Sequence, residues 1–201
     1  MNIDSTEQLR SLYALPKERA VRKQLASLDR HCRRFIELSP FVVVASCSAA
    51  QSMDASPRGG APGFVKVVDE RTLLIPDAPG NNRLDTLENI IDTGKIGLLF
   101  MIPGVDETLR ANGTARLSCH DEHLQRFAGE KRRPRLVIEV SVGEVYLHCA
   151  KALMRSALWA FASRVDRSIL PTMGEILNSQ MGIEAPPESQ EEMLVRYAAD
   201  L

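Results

Sequence analysis

From Phe41 onward the chain alternates short β-branched and apolar runs with polar breaks, a rhythm that the segment before Pro40 lacks. Between Lys17 and Leu38 the apolar residues Val21, Leu25, Leu28, Cys32 and Phe35/Ile36 fall at helical spacing with arginines opposite, which predicts one helix ended by Pro40. Ser5 and Gln8 form a candidate capping box for a shorter helix ahead of it. Strands are predicted at 41–48, 64–69, 72–75, 96–102, 108–118 and 135–147, with Asp69-Glu-Arg turning a hairpin. Short helices are expected at 84–93 and 120–128, then at 150–163 and 171–180, and a polar terminal helix after Pro186-Pro187.

Six strands without regular crossover helices argue for an antiparallel barrel rather than a doubly wound parallel sheet. The expected fold is therefore mainly β with flanking helices. Its divisions are an N-terminal helical segment (1–39), a barrel with its closing helix (40–163) and a C-terminal helical extension (164–201). At 201 residues such a chain can bury a real core.

The formal net charge of −1 offers no electrostatic case for nucleic acid or an anionic membrane surface. No apolar stretch reaches the length of a bilayer span, and the charged N-terminus does not read as a signal peptide, so a cytoplasmic location is expected. Three of the four cysteines adjoin a histidine, at His31-Cys32, Cys119-His120 and His148-Cys149. Neighbours on a strand point to opposite faces, which works against shared ligation, and no metal is expected. A dinucleotide glycine fingerprint, a Walker loop and a nucleophile elbow are all missing.

Three segments carry candidate chemistry. Gly80-Asn81-Asn82-Arg83 precedes a helix start, where free N–H donors and a guanidinium suit a phosphate; the plainer alternative is a cap with an exposed arginine. Arg58 lies among Gly59, Gly60 and Gly63, which permit close approach to the backbone or simply turn a hairpin loop. In His148–Trp159, Lys151 and Arg155 share a helix face with Ser156 and Trp159 nearby, suiting a planar anion or an ordinary amphipathic helix with a buried indole. The basic run Lys131-Arg132-Arg133-Pro134-Arg135 reads as a solvated turn.

Taken in order, Ser56–Gly59, Pro76–Arg83, Leu109–Ala115 and His148–Trp159 resemble the pyridoxamine-5'-phosphate-oxidase-like family of flavin-binding split barrels over residues 38 to 160. They are closest to a bacterial subgroup of FMN-dependent enzymes. The resemblance implies that Arg58 reaches the FMN phosphate or ribityl chain, and that Phe64-Val65-Lys66 lies along the isoalloxazine. Pro76-Asp77 stands where the oxidases have a tyrosine-threonine pair. Asn81-Asn82-Arg83 replaces a Ser-Arg-Lys phosphate clamp, with one cation fewer. Glu107-Thr108-Leu109-Arg110 replaces Arg-Gln-Val-Arg, placing Thr108 and Arg110 at the flavin. His148, Lys151, Arg155, Ser156 and Trp159 are expected to come from the second subunit of a homodimer, with Lys151 or Arg155 supplying the missing cation.

The arginine-rich, histidine-containing substrate motif of true pyridoxamine-phosphate oxidases is absent, so vitamin B6 oxidation is not expected. The resulting expectation is an FMN oxidoreductase passing hydride through flavin N5 to or from an unknown small molecule. No residue stands out as a substrate acid or base. The alternatives are a flavin store or sensor without turnover, or a relative that carries deazaflavin or haem.

Overall fold

The computed structural model describes residues 2–198 and Asp200. Seven strands form one fully antiparallel sheet: β1 (Phe41–Cys47), β2 (Met53–Gly59), β3 (Lys66–Val67), β4 (Thr72–Pro76), β5 (Lys95–Met101), β6 (Thr108–Ser118) and β7 (Val137–His148). Their order is β2-β1-β5-β6-β7-β4-β3. β2 and β3, at opposite ends of that order, are joined by residues 60–65 alone. Strands lie about 4.8 Å apart, so a flat seven-stranded sheet would hold its edges about 29 Å apart. The link from Gly59 to Lys66 reaches roughly 25 Å when fully drawn out, and this one is shortened by a turn in which the Phe64 N–H donates to the Ala61 carbonyl at 2.9 Å. The sheet must therefore curl, and the result is a split barrel whose outermost strands approach without pairing.

Alternate side chains of the curled sheet fill one core: Val42 and Val44, Leu73 and Ile75, Ile96, Leu98 and Phe100, Leu109 and Ala111, Ile138, Val140 and Val145. Two helices plug it. Cys32 and Ile36 of α3 (Arg30–Leu38) and Leu87 and Ile90 of α4 (Asp85–Thr93) are buried in the same cluster.

Three expectations need correction. The strand count is seven, because Met53–Gly59, where no strand was expected, pairs with β1 along its whole length. As an edge strand it buries no side chain fully and tolerates Pro57, so its polar composition hid it. The helix expected over 17–38 is broken into α2 (Glu18–Arg22) and α3. Between them Leu25 makes a two-bond antiparallel bridge to Val145, at 2.9 Å each way. Asp29 then starts α3 afresh by accepting the N–H groups of His31 and Cys32, bonds that hold its carboxyl below the usual carboxylate range. The helix expected over 150–163 is α6 (Lys151–Ser156), stopped by a left-handed Ala157.

Ser5 caps α1 (Thr6–Ser11) by accepting the Gln8 N–H, while the Gln8 side chain accepts from Asp4 rather than closing the box on Ser5. The remaining helices are α5 (Asp121–Gln125), α7 (Met173–Met181) and α8 (Gln190–Ala198). No described helix is long and apolar enough to cross a membrane.

β6 and β7 carry the longest ladder, interrupted where Asn112 faces Glu144 but Gly113 faces Val142. A Cβ on Gly113 would lie 1.9 Å from the Ser141 carbonyl oxygen, so only glycine fits the bulge. Gly113→Ala is expected to lower stability by about 3 kcal/mol, the upper end of overpacking costs. Gly129→Ala, in open space, should stay within about 0.5 kcal/mol of the parent. Urea unfolding of both variants checks this.

Candidate cofactor site

β2 and α4 meet at the seam of the barrel and build a polar corner. α4 begins at Leu84 with no side chain capping its first amides. Just ahead, Asn82 is left-handed (φ 58°) and Asn81 accepts the Arg83 N–H at 3.0 Å, which turns the backbone into the helix. The Arg83 side chain donates to Asp85 at 2.9 Å and is 75% exposed. Arg58, projecting from β2, donates to the Pro57 carbonyl and lies 3.4 Å from the Thr86 hydroxyl on the first turn of α4.

Beneath this surface runs a network that the sequence did not flag. Thr86 donates to Asp54 at 2.6 Å, Ser56 donates to the same carboxylate, and Ser46 lies 3.4 Å from it. Asn89 donates to Ser46 at 3.0 Å. Ser46, Thr86 and Asn89 are among the few buried polar residues. Their bonds fix α4 against β1 and β2, and so set the distance between Arg58 and the helix start. Asp54, Ser46, Thr86 and Asn89 look individually like ordinary turn and cap residues, which is why their pattern gave no signal.

Asp77 follows Pro76 at the end of β4 and ties its N–H to the Leu136 carbonyl. Burial pushes its carboxyl above the usual range, and Arg58 and Arg135 partly offset this. Arg58, Asp77, Thr86 and the segment 81–83 therefore belong to one corner. An uncapped helix start flanked by two guanidinium groups fits a phosphate. Arg83 would have to leave Asp85, but an exposed pair of this kind is worth only about 0–1 kcal/mol.

The other sequence candidates lie in two further places. Thr108 faces His148 and Arg110 faces Tyr146 across β6 and β7. α6 follows His148 closely in sequence, with Lys151 and Arg155 exposed and, among the described residues, in no ion pair. Ser156 donates back to Leu153. Because α6 stops early, Trp159 is not carried on its face; the indole N–H instead donates to the Val105 carbonyl at 2.9 Å. Lys66 is engaged with Glu130 at 2.7 Å and with the Gly63 carbonyl, beside the Phe127 ring. Phe64 and Val65 are buried, so their side chains serve the core. The glycines near Arg58 also have a structural use, since a Cβ on Gly60 would fall 2.7 Å from that of Phe64.

No set of three or more His, Cys, Asp or Glu among the described residues is placed to hold a metal ion. Burial and the adjacent Asp29 push the Cys32 thiol up to about 11, marking it as a core group rather than a nucleophile.

The profile of the family described as pyridoxamine 5'-phosphate oxidase matches residues 28–149, more than half of the chain. The chain belongs to the pyridoxamine 5'-phosphate oxidase family. The match spans α3, the whole barrel and the polar corner. Among solved structures, HupZ of Group A Streptococcus aligns with a TM-score of 0.50 at 18% identity, over 60% of this chain and 93% of that one. A putative pyridoxamine 5'-phosphate oxidase of Lactobacillus delbrueckii aligns at 0.47 and 19%, over 62% and 98%. An FAD-binding protein of Mycobacterium smegmatis aligns at 0.43 and 13%, over 62% and 97%. No curated protein matches.

Within this family member, Thr86 is the hinge of the corner. Thr86→Val keeps the shape but takes a donor from Asp54 and a contact from Arg58. Urea unfolding should show a loss of about 1–3 kcal/mol, the cost of an acceptor left short of a partner. Thr86→Ser should retain most of the parent stability.

Proposed function

We propose that this member of the pyridoxamine 5'-phosphate oxidase family binds FMN and acts as an oxidoreductase on a small molecule other than pyridoxamine phosphate. The observation that carries the reading is the approach of Arg58 to the uncapped start of α4 through Thr86, beside Arg83. It offers a monophosphate two guanidinium groups and a set of helix amides, while no dinucleotide fingerprint is available to a second nucleotide. When bound, the flavin would supply hydride transfer at N5. Arg58, Asn82 and Arg83 hold the phosphate in this reading. The stretch Phe64–Lys66, leading into β3, offers backbone groups and the Lys66 ammonium to the ring. Thr108, Arg110 and His148 lie across the β6–β7 end.

The reading includes a homodimer in which residues 148–159 approach the partner's cofactor. Met154, Leu158, Phe161, Val165, Ile169 and Leu170 are all strongly exposed, Phe161 at 83%. Such a run of apolar groups is what a second copy would cover. Four free cysteines support a reducing compartment, the cytoplasm.

Mass spectrometry of the released cofactor should find FMN; FAD, deazaflavin or haem would replace this reading, and a visible spectrum separates them. A flavin that nicotinamide cofactors cannot reduce anaerobically would point to a store or sensor. Arg83→Ala should weaken FMN by about 1.5–3 kcal/mol, roughly ten- to a hundredfold, and leave riboflavin almost unchanged. Equal losses for both would assign Arg83 to folding. Refolding Arg83→Ala together with Arg155→Ala tests the shared site. With about half the dimers mixed, tight binding should return in roughly a quarter of all sites, whereas a single-chain pocket would give no recovery.

A further inference from the structure

The N-terminal segment does more than lean on the barrel. Past the end of β4, the edge of β7 is free for another partner, and Leu25 occupies it through its bridge to Val145. That bridge delivers Lys23 to the last turns of the sheet, where its ammonium donates to the Leu147 carbonyl at 2.7 Å and stands 5.1 Å from the centre of the Tyr146 ring. Arg110 reaches the same ring from β6, at 5.6 Å, and the His148 ring lies 5.0 Å from it, tilted by 49°. Three nitrogen bases from three segments thus surround one half-buried tyrosine.

Their counter-charge is thin. Glu144 pairs with Arg110 at 3.6 Å but also accepts from Gln24 and Asn112, so its oxygens are shared three ways. Among the described residues, Asp106 and Glu107, in the turn leading to β6, form no ion pair with the group. Burial and the charges of Lys23 and Arg110 lower the His148 pKa. Positive charge gathered on flat rings, with one carboxylate to balance it, is arranged for an incoming anion.

We propose that Lys23, Arg110, Tyr146 and His148 form a binding site for a small planar carboxylate, with Lys23 as a specificity residue supplied by the N-terminal segment. That this anion is the oxidoreductase substrate rests on the flavin reading; the binding itself does not. The carboxylate would sit between the Lys23 ammonium and the Arg110 guanidinium, and its ring against Tyr146 and His148. Since an anion there favours imidazolium, binding should raise the His148 pKa. Affinity should therefore strengthen as pH falls through the His148 titration and weaken above it.

The test is a titration of the full-length protein with benzoate, followed by NMR of the His148 ring, in the flavin-loaded and flavin-free states. Benzoate should shift His148 and raise its pKa, and benzamide, the uncharged analogue, should do neither. Lys23→Met should raise the His148 pKa of the free protein and weaken benzoate roughly tenfold. Lys23→Gln, which keeps a donor to Leu147, is the second variant should the first disturb the bridge at Leu25. Equal binding of benzamide and benzoate would overturn the proposal, as would a His148 pKa indifferent to both benzoate and Lys23. A protein that binds benzoate in this way yet takes up no flavin would keep this site and refute the proposed function alone.

Discussion

Everything in this molecule answers to the shortness of the link between β2 and β3. Residues 60–65 tie the two outermost strands together, and no flat arrangement of seven strands lets them do so. Closure leaves a seam rather than a continuous ladder, because the link returns through a turn whose N–H groups bond to the two residues that follow α3: Gly63 to Ser39 and Gly60 to Pro40. The seam is where backbone groups and polar side chains can face outward while staying rigidly held. β2 is one lip of it, which is how a strand without a fully buried side chain comes to carry an arginine toward α4.

The same geometry explains why the polar network lies under that corner. A helix that plugs an open seam must bury some of its first turn, and α4 buries Thr86 and Asn89 along with Leu87 and Ile90. Polar groups taken out of water need partners. Here Asp54 and Ser46 provide them from the two strands at the lip, with Ser56 donating to Asp54 in turn. Rigidity at the corner is thus a by-product of satisfying the plug, and the exposed layer above it, Arg58 and Arg83, rests on a fixed base. The single contacts in that layer are weak, so the arginines are free to exchange protein partners for a ligand at small cost.

Much of this was legible from residue patterns. The strands with alternating or continuous apolar runs, β1 and β4 to β7, lie near their expected positions, as do α4 and α7. β2 was hidden because strand reading depends on apolar repeats, and an edge strand with Asp54, Ser56 and Pro57 has none. The false long helix arose because Leu25 and Leu28 keep helical spacing while one pairs with β7 and the other sends its N–H to the Glu70 carbonyl. Asp29 was the readable sign of a restart. At the site, Arg58 and the segment 81–83 stand out by type and position. Lys23 and the Asp54 network do not, because their significance comes from bonds to residues far away in the chain.

The bulge opposite Gly113 reaches further than its own hydrogen bonds. Before it, the even residues Ile138, Val140 and Val142 of β7 face the core; after it, the buried position is the odd Val145. One supernumerary residue, Gly143, thus reverses which half of the alternation looks inward. In an unbulged strand Tyr146 and His148 would continue the even set and point into the barrel, and Val145 would be turned to water. The phase change instead brings the tyrosine and histidine to the outer face beside Arg110 and Lys23. A single glycine in the middle of a strand therefore decides whether that end of the barrel presents rings and cations or a row of aliphatic side chains.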